Sequence, residues 1–403
     1  MLNMLPRQLQ DILINLKSQE WIQKLAHNAE VYVVGGSVRD AFIEKPIKDI
    51  DLVVDGLSFS GIQKILKPYG KQSLVGESFS VIKFMPEGHV GEDYDIAVPR
   101  EDRKVGKGHK GFEIVTEGVD IMGDLKRRDF TINSIAVNVM SGEIIDPFNG
   151  RKDLINKKIK ATDEKAFIED PLRILRGIQF ASRFNFDIDQ NTMKMMKDNA
   201  HLVKEITGER ILEEFQKIIN KGNTQIALKL LHQTDVDKAL FDKKMLQYDE
   251  GFDYLDAPSF YYMLALIGDV DPYTFYMKRL KGNVEIGKAI KTLDDIITKW
   301  DGLSEEDKKY LVMMSIKKSP LIGDSALIPS DMEEIILDMR TKKIPSSPSD
   351  ILINGDEIQK IFGIPKGKKI GDILERIHKD ALMNKFNWKD RISTLEYVSN
   401  FKV

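Results

Sequence analysis

Along the first 150 residues, hydrophobic positions gather into short β-branched runs set between helical stretches: VYVV at 31–34, DIDLVV at 49–54, SVIKF at 80–84 and YDIAV at 94–98. Short apolar runs bounded by turn residues predict strands, and the interleaved helical spacing predicts an α/β or α+β unit. From about residue 160 the apolar spacing changes to three and four, as in Leu172, Leu175, Ile178 and then Ile211, Phe215, Ile218. Strand signals almost vanish, so the remainder is expected to be helical. Asp170 before Pro171 reads as a helix cap and first helical position, and Gly208, Gly222, Gly282 and Gly302 separate periodic stretches. Breaks are expected near 150, 220 and 346, the last within the Pro- and Ser-dense IPSSPSD at 344–350. The units are therefore 1–150, 151–220, 221–345 and 346–403. Phe252, Tyr254, Phe260, Tyr261 and Tyr262 in the third unit could stack on bases, although core packing is the simpler role.

Composition narrows the classes. The chain has 403 residues, 42% hydrophobic and 31% charged, and no cysteine. Disulfides, zinc–thiolate sites and thiol nucleophiles are excluded, and an intracellular compartment carries no penalty. The sequence holds no apolar run of about 18 residues and starts without a signal-peptide layout, so a cytoplasmic protein with no membrane partner is expected. A net charge of -3 excludes a uniformly basic nucleic-acid coat but permits local patches. Two stand out: Arg151, Lys152, Lys157, Lys158 and Lys160 around the single acid Asp153, and Lys366, Lys368 and Lys369 in KGKK before a helix expected near Ile370. Three lysines at a helix start suit an RNA phosphate, or form a solvated turn.

Three clusters carry candidate chemistry. In VYVVGGSVRD a strand runs into Gly35 and Gly36 and then a helix near Ser37, a layout that seats phosphate, although such a pair also marks a plain tight turn. In KDIDLVV, Asp49 and Asp51 lie two apart within an expected strand and share a face. Paired carboxylates repel unless a cation lies between them, and hard oxygens suit Mg²⁺. A solvated edge strand is the alternative, opposed by the apolar Ile50, Leu52, Val53 and Val54. A third carboxylate is expected from EDYDIAVPR, with Asp95 first and Asp93 and Glu92 behind it. In DLKRRDFTINS, Lys126, Arg127 and Arg128 adjoin Asp129 and Asn133, where arginines can clamp a triphosphate and a carboxylate can take ribose hydroxyls, unless the run is a surface stretch.

Taken in order, GGSVRD, DID, RRDFTIN, DPFNGRKDL, EDPLRILR and GERILEEF resemble the class II tRNA nucleotidyltransferases and bacterial poly(A) polymerases, polymerase β-like enzymes that extend RNA without a nucleic-acid template. The resemblance implies an α+β fold, a nucleotidyltransferase head with a small mixed sheet followed by an all-helical neck, body and tail. It implies that Gly35, Gly36 and Arg39 hold triphosphate, that Asp49 and Asp51 bind two Mg²⁺ with Asp95 as a further catalytic carboxylate, and that Arg128, Asp129, Asn133 and Arg176 contact the nucleotide. Asp170 and Arg173 map to the base-selecting pair, supported by Arg210. An Asp acceptor and an Arg donor match cytosine and adenine and oppose uracil and guanine. Helix capping competes for the same Asp170 carboxylate. Gly177, where the family usually has alanine, is expected to loosen the helix.

Bacterial poly(A) polymerases resemble GRRF where this chain reads VGESFSV at 75–81, which favours CCA addition to tRNA from CTP and ATP. Residues 100–110, with Arg100, Arg103, Lys104, Lys107 and Lys110, resemble a flexible loop of enzymes that add A, or form a solvated hairpin. No histidine precedes an aspartate, so no His-Asp phosphohydrolase domain is expected. INGDEI and GIPKGKKIGDIL resemble the tail of bacterial CCA-adding enzymes, placing Lys366, Lys368 and Lys369 on RNA. The implied reaction is in-line attack of the RNA 3′ hydroxyl on the nucleotide α-phosphate with loss of pyrophosphate. An A-adding enzyme or poly(A) polymerase is the alternative within the family. An inert RNA-binding protein is the alternative outside it, opposed by the intact Asp49 and Asp51.

Overall fold

A computed structural model describes residues 5–75, 81–89, 91–104, 112–242 and 254–401. The chain forms two compact units, Met1–Lys244 and Met245–Val403. In the first, the β-branched runs become β1 (Glu30–Val34), β2 (Asp51–Asp55), β3 (Gly70–Val75), β4 (Val81–Pro86), β5 (Tyr94–Ala97), the hairpin β6 (Glu101–Lys104) and β7 (Phe112–Val115), β8 (Ala136–Asn138) and β9 (Ile144–Ile145). Seven of them make one sheet in the order β3-β4-β5-β2-β1-β8-β9. It is mixed: β2 and β5 run parallel, with Asp51 opposite Asp95, whereas β1 lies antiparallel to β2 and β8.

The sheet is buried because both faces are covered. Tyr32, Val34, Val53 and Ala136 pack with Ile121 and Leu125 from the helix Ile121–Lys126. Trp21 from the helix Glu20–Ala26 meets Phe84 edge-on at 5.0 Å and Tyr94 at 5.3 Å. Fully burying an aromatic ring of this kind contributes about 2–3 kcal/mol. The helix Leu172–Phe184 then brings Phe180 against Phe130 at 5.9 Å and stacks it on Phe184 at 5.9 Å.

Several expectations need correction. The strand expected over 49–54 begins at Asp51, and Asp49 lies exposed ahead of it. The edge strand β3 is mostly solvated, so its sequence KQSL offers no apolar signal. The helical region contains a short parallel pair, Lys158–Ile159 with Asp187–Ile188. The helix after EDP starts at Leu172 with Pro171 as its cap residue, one position later than expected. The KGKK helix starts earlier, at Lys368. Gly177 also admits close packing, since a Cβ there would lie 3.0 Å from Phe130 and 3.2 Å from Met196. Residues 105–111 of the basic loop, 76–80 of VGESFSV and Phe252 lie outside the described residues.

The second unit is helical in all its described elements. Phe260, Tyr261 and Tyr262 are buried in the helix Ala257–Ile267, whereas Tyr254 is 73% exposed. Further along, Ile351, Ile358, Ile370, Ile377, Trp388 and Val398 form one core cluster. Asn354 and Glu357 make a capping box that starts the helix Gly355–Phe362. Among the described residues no helix is long and apolar enough to cross a membrane.

Candidate active site

The turn after β1 fixes the site. Gly35 has φ 67°, and a Cβ there would lie 2.5 Å from the Arg128 guanidinium, so glycine alone lets that arginine approach. Ser37, in the helix Gly36–Phe42 that follows, donates its hydroxyl to the Asp49 carbonyl at 3.1 Å and accepts from the Asp51 N–H at 3.3 Å. One side chain thus anchors the segment carrying both candidate carboxylates. Asp49 and Asp51 line a cavity of about 480 Å³ with Asp95, Asp93, Glu92 and Lys83. Lys83 pairs with Asp95 at 3.0 Å.

Burial above all, and then the charges of Asp95 and Asp49, push the Asp51 carboxyl up, against the pull of Arg128 and Arg39. Carboxylates crowded in this way, all hard oxygen donors, fit a divalent cation. Among the described residues no group of three or more His, Asp or Glu side chains is arranged to hold one ion, so Asp49 and Asp51 are the pair available, with Asp95 turned to Lys83.

A second cavity of about 470 Å³ adjoins this one and brings together Gly35, Gly36, Arg39, Arg128, Asp129, Asn133, Asp170, Arg173, Arg176 and Arg210. These residues are scattered over the chain, and four of them meet through a continuous polar chain. Arg176 donates from Nε to Asp129 Oδ2 at 2.7 Å, Asn133 Nδ2 donates to Asp129 Oδ1 at 2.9 Å, and Arg39 Nη1 donates to Asn133 Oδ1 at 2.7 Å. Burial alone would raise the Asp129 carboxyl, but Arg176 and the hydrogen bonds of Asn133 and Arg176 outweigh it and hold it below the usual carboxylate range.

The proposed selecting pair is arranged differently from a simple i, i+3 contact. Asp170 Oδ1 accepts the Leu172 N–H at 3.2 Å while Oδ2 accepts from Arg210 at 3.3 Å. Arg173 donates to the Arg127 carbonyl at 2.7 Å and lies 3.6 Å from Glu169. Asp170 thus uses one oxygen on the first helical N–H, two residues on, and the other on Arg210, while lining the cavity. Arg173 lines the same cavity, held there by a backbone carbonyl.

Three contributors were not legible in the sequence. Asp124 is completely buried and takes Arg127 through Nε and Nη2 at 3.0 and 2.7 Å on one oxygen, and Arg128 at 3.1 and 2.8 Å on the other. Ser37 is the anchor described above. Phe180 lies under two guanidiniums, Arg39 at 5.3 Å and Arg176 at 5.4 Å. In the basic stretch 151–160, Arg151 is engaged by Asp146 at 3.1 Å and Lys158 by Asp187 at 2.9 Å. Lys366, Lys368 and Lys369 are exposed, in or just ahead of the helix Lys368–Leu382 of the second unit.

Comparison with known proteins identifies the family. Residues 31–160 match the family described as Poly A polymerase head domain, and 185–247 match the probable RNA- and SrmB-binding site of polymerase A. A CCA-adding enzyme of Streptococcus agalactiae is 30% identical over 392 residues, covering 93% of each chain. The structure of a CCA-adding enzyme in apo form II is 26% identical with a TM-score of 0.75, covering 97% of this chain and 95% of that one. The Bacillus stearothermophilus CCA-adding enzyme in complex with CTP is 20% identical and shares the fold at a TM-score of 0.72, with 97% of both chains covered. With such similarity sustained along nearly its whole length, the chain belongs to the tRNA nucleotidyltransferase/poly(A) polymerase family, among the CCA-adding enzymes.

Proposed function

We infer that this chain is a tRNA nucleotidyltransferase that adds C, C and A to the 3′ end of tRNA, taking CTP and ATP as substrates. The observation that supports it best is the cavity in which Gly35, Arg128, Asp129, Asp170 and Arg173 meet against the Asp49–Asp51 carboxylates. In this reading Gly35, Gly36, Arg39 and Arg128 receive the triphosphate. Asp129, oriented by Asn133 and Arg176, takes the ribose, and Asp170 and Arg173 offer acceptor and donor to the base.

Asp49 and Asp51 hold the divalent metal, Mg²⁺ by the hardness of their oxygens, and Asp95 adds negative charge beside them. The bound ions would lower the pKa of the attacking 3′ hydroxyl and neutralise charge on the leaving pyrophosphate. The chain's own part is positional: Ser37 anchors the acid segment, and the arginines order the phosphates so that the α-phosphorus faces the acids. No side-chain nucleophile is needed.

The division of labour follows the units read from sequence, with a head over 1–150, a neck over 151–220, a body over 221–345 and a tail over 346–403 that contacts tRNA through Lys366, Lys368 and Lys369. A cytoplasmic activity is in keeping with a tRNA substrate. The test is to incubate the protein with tRNA ending before CCA, after C and after CC, offering CTP and ATP separately and together, with products resolved by single nucleotides. Growth through C, C and A supports the reading. Addition of A alone would reassign the chain to the A-adding enzymes, and no addition would leave an RNA-binding protein.

A further inference from the structure

A third cavity, about 450 Å³, lies beside the other two and shares Arg39 and Asp51 with the nucleotide cavity and Asp49 and Asp51 with the acid pocket. Its further lining sets the cations Lys45, Lys48, Arg183 and Lys221 beside Asp40, Pro46 and Ile47. Three cations crowd one ring there: Lys45 Nζ lies 4.7 Å from the Phe184 centroid, Arg183 4.9 Å and Arg39 4.9 Å. Among the described lining residues Asp40 is the acid outside the acid pocket, and it is spoken for by Arg39 at 2.7 Å, with Arg183 at 3.9 Å. Among the described residues neither Lys45 nor Lys221 has a carboxylate within ion-pair distance.

Like charges held together in a half-buried cavity repel, and the arrangement costs stability unless an anion joins it. Burial, and then the charge of Arg183 for Lys45 and of Arg39 for Arg183, press both downward from their ordinary pKa values. The cluster borders Asp49 and Asp51, and neither Asp170 nor Arg173 lines it. In-line displacement needs phosphate-bearing groups on both sides of the α-phosphorus, those of the incoming nucleotide and those of the strand that attacks it or the pyrophosphate that leaves.

We propose that the Lys45–Arg183–Lys221 cavity is a phosphate subsite of the reaction, bordering the nucleotide cavity and set apart from it by these three cations. Its chemistry suits a phosphodiester of the RNA 3′ strand or the departing pyrophosphate. The proposal rests on the nucleotidyl-transfer reading above.

The test uses direct binding to the full-length protein in Mg²⁺ buffer. Calorimetric titrations with a short RNA ending in CC, with pyrophosphate and with CTP compare the wild type with Lys45→Gln, Lys221→Gln and Arg183→Gln. Removing one charged phosphate contact is expected to weaken one of the first two probes by about tenfold or more, leaving CTP within about twofold. Loss confined to RNA assigns the strand's backbone, and loss confined to pyrophosphate assigns the leaving group. Unchanged binding of both probes overturns the subsite, as does an equal loss of CTP. Thermal melting monitors folding, and the exposed Lys221 and half-buried Lys45 keep the test decisive if Arg183→Gln unfolds. A wild type that binds pyrophosphate but adds no nucleotide would refute the transfer reading alone.

Discussion

Arg176 and Asp129 meet at 2.7 Å across 47 positions of chain, joining the helix Leu172–Phe184 to the loop after the helix Ile121–Lys126. Asp129 is 7% exposed and its other oxygen is filled by Asn133, so the pair orients a carboxylate that faces the nucleotide cavity. Arg176→Ala should leave that charge buried without its partner and cost about 3–5 kcal/mol. The folded pKa of Asp129 is depressed, so its stabilisation is present above the unfolded carboxylate value and lost as pH falls through the lower folded one. In the variant the carboxyl is no longer held as far down, so the acid-dependent loss should shrink. Melting curves between pH 7 and 3 check it, and a wild-type profile would show the pair to be inconsequential.

Asp124 never touches the cavity, yet it fixes two guanidiniums that line it. Burial raises its carboxyl, but the charges and hydrogen bonds of Arg128 and Arg127 hold it below the usual range. Asp124→Asn keeps the shape and removes the charge, so both arginines lose their orientation. CTP affinity should fall by about tenfold or more, with a smaller change in kcat. Equal affinity in a direct binding assay would confine Asp124 to a folding role.

Arg173→Ala should erode the preference for CTP and ATP over UTP and GTP. An unpaired buried polar group costs about 1–3 kcal/mol, so mismatched bases should be rejected by about tenfold or more in the wild type. The variant also loses the bond to the Arg127 carbonyl, which makes some general loss of rate expected. The informative quantity is the ratio of kcat/KM between bases. An unchanged ratio would make Arg173 structural.

In the second unit, burial above all and Lys317 next push His378 down to about 4 from 6.5, with Glu375 opposing. A neutral buried histidine favours the folded state above the unfolded pKa, and that contribution is lost as pH falls from 6.5 towards 4, where the unfolded chain takes up the proton first. The loss should reach about 3 kcal/mol at its end. Asp124 and Asp129, with depressed pKa values, titrate below this window. His378→Gln should therefore flatten the stability profile between pH 6.5 and 4.5 in denaturant titrations, and an equally steep profile would contradict it.

What the sequence made legible was local. Gly35 with Gly36, Asp49 with Asp51, and Arg128 with Asp129 lie in contiguous motifs, and the cavities bring together the nucleotide-binding set read from them. Partners supplied by tertiary packing were not legible. Asp124 reads as an ordinary acid in the first turn of a short helix, and its role exists only because Arg127 and Arg128 follow one helical turn later and fold back on it. Phe180 reads as core, and only the structure places it under Arg39 and Arg176. The strand β3 failed for a simpler reason, since a solvated edge carries no apolar alternation.

The acid pair Asp49 and Asp51 decides the reaction. The deciding measurement is single-nucleotide-resolved extension of tRNA lacking CCA, with CTP and ATP in Mg²⁺, by the wild type and by Asp49→Ala and Asp51→Ala proteins of matched folding. Wild-type extension through C, C and A, with either variant slowed by about a thousandfold or more, is the predicted result, because metal ligation supplies several kcal/mol at the transition state. Activity of either variant within about tenfold of wild type would contradict the assignment of Asp49 and Asp51 as the catalytic metal ligands.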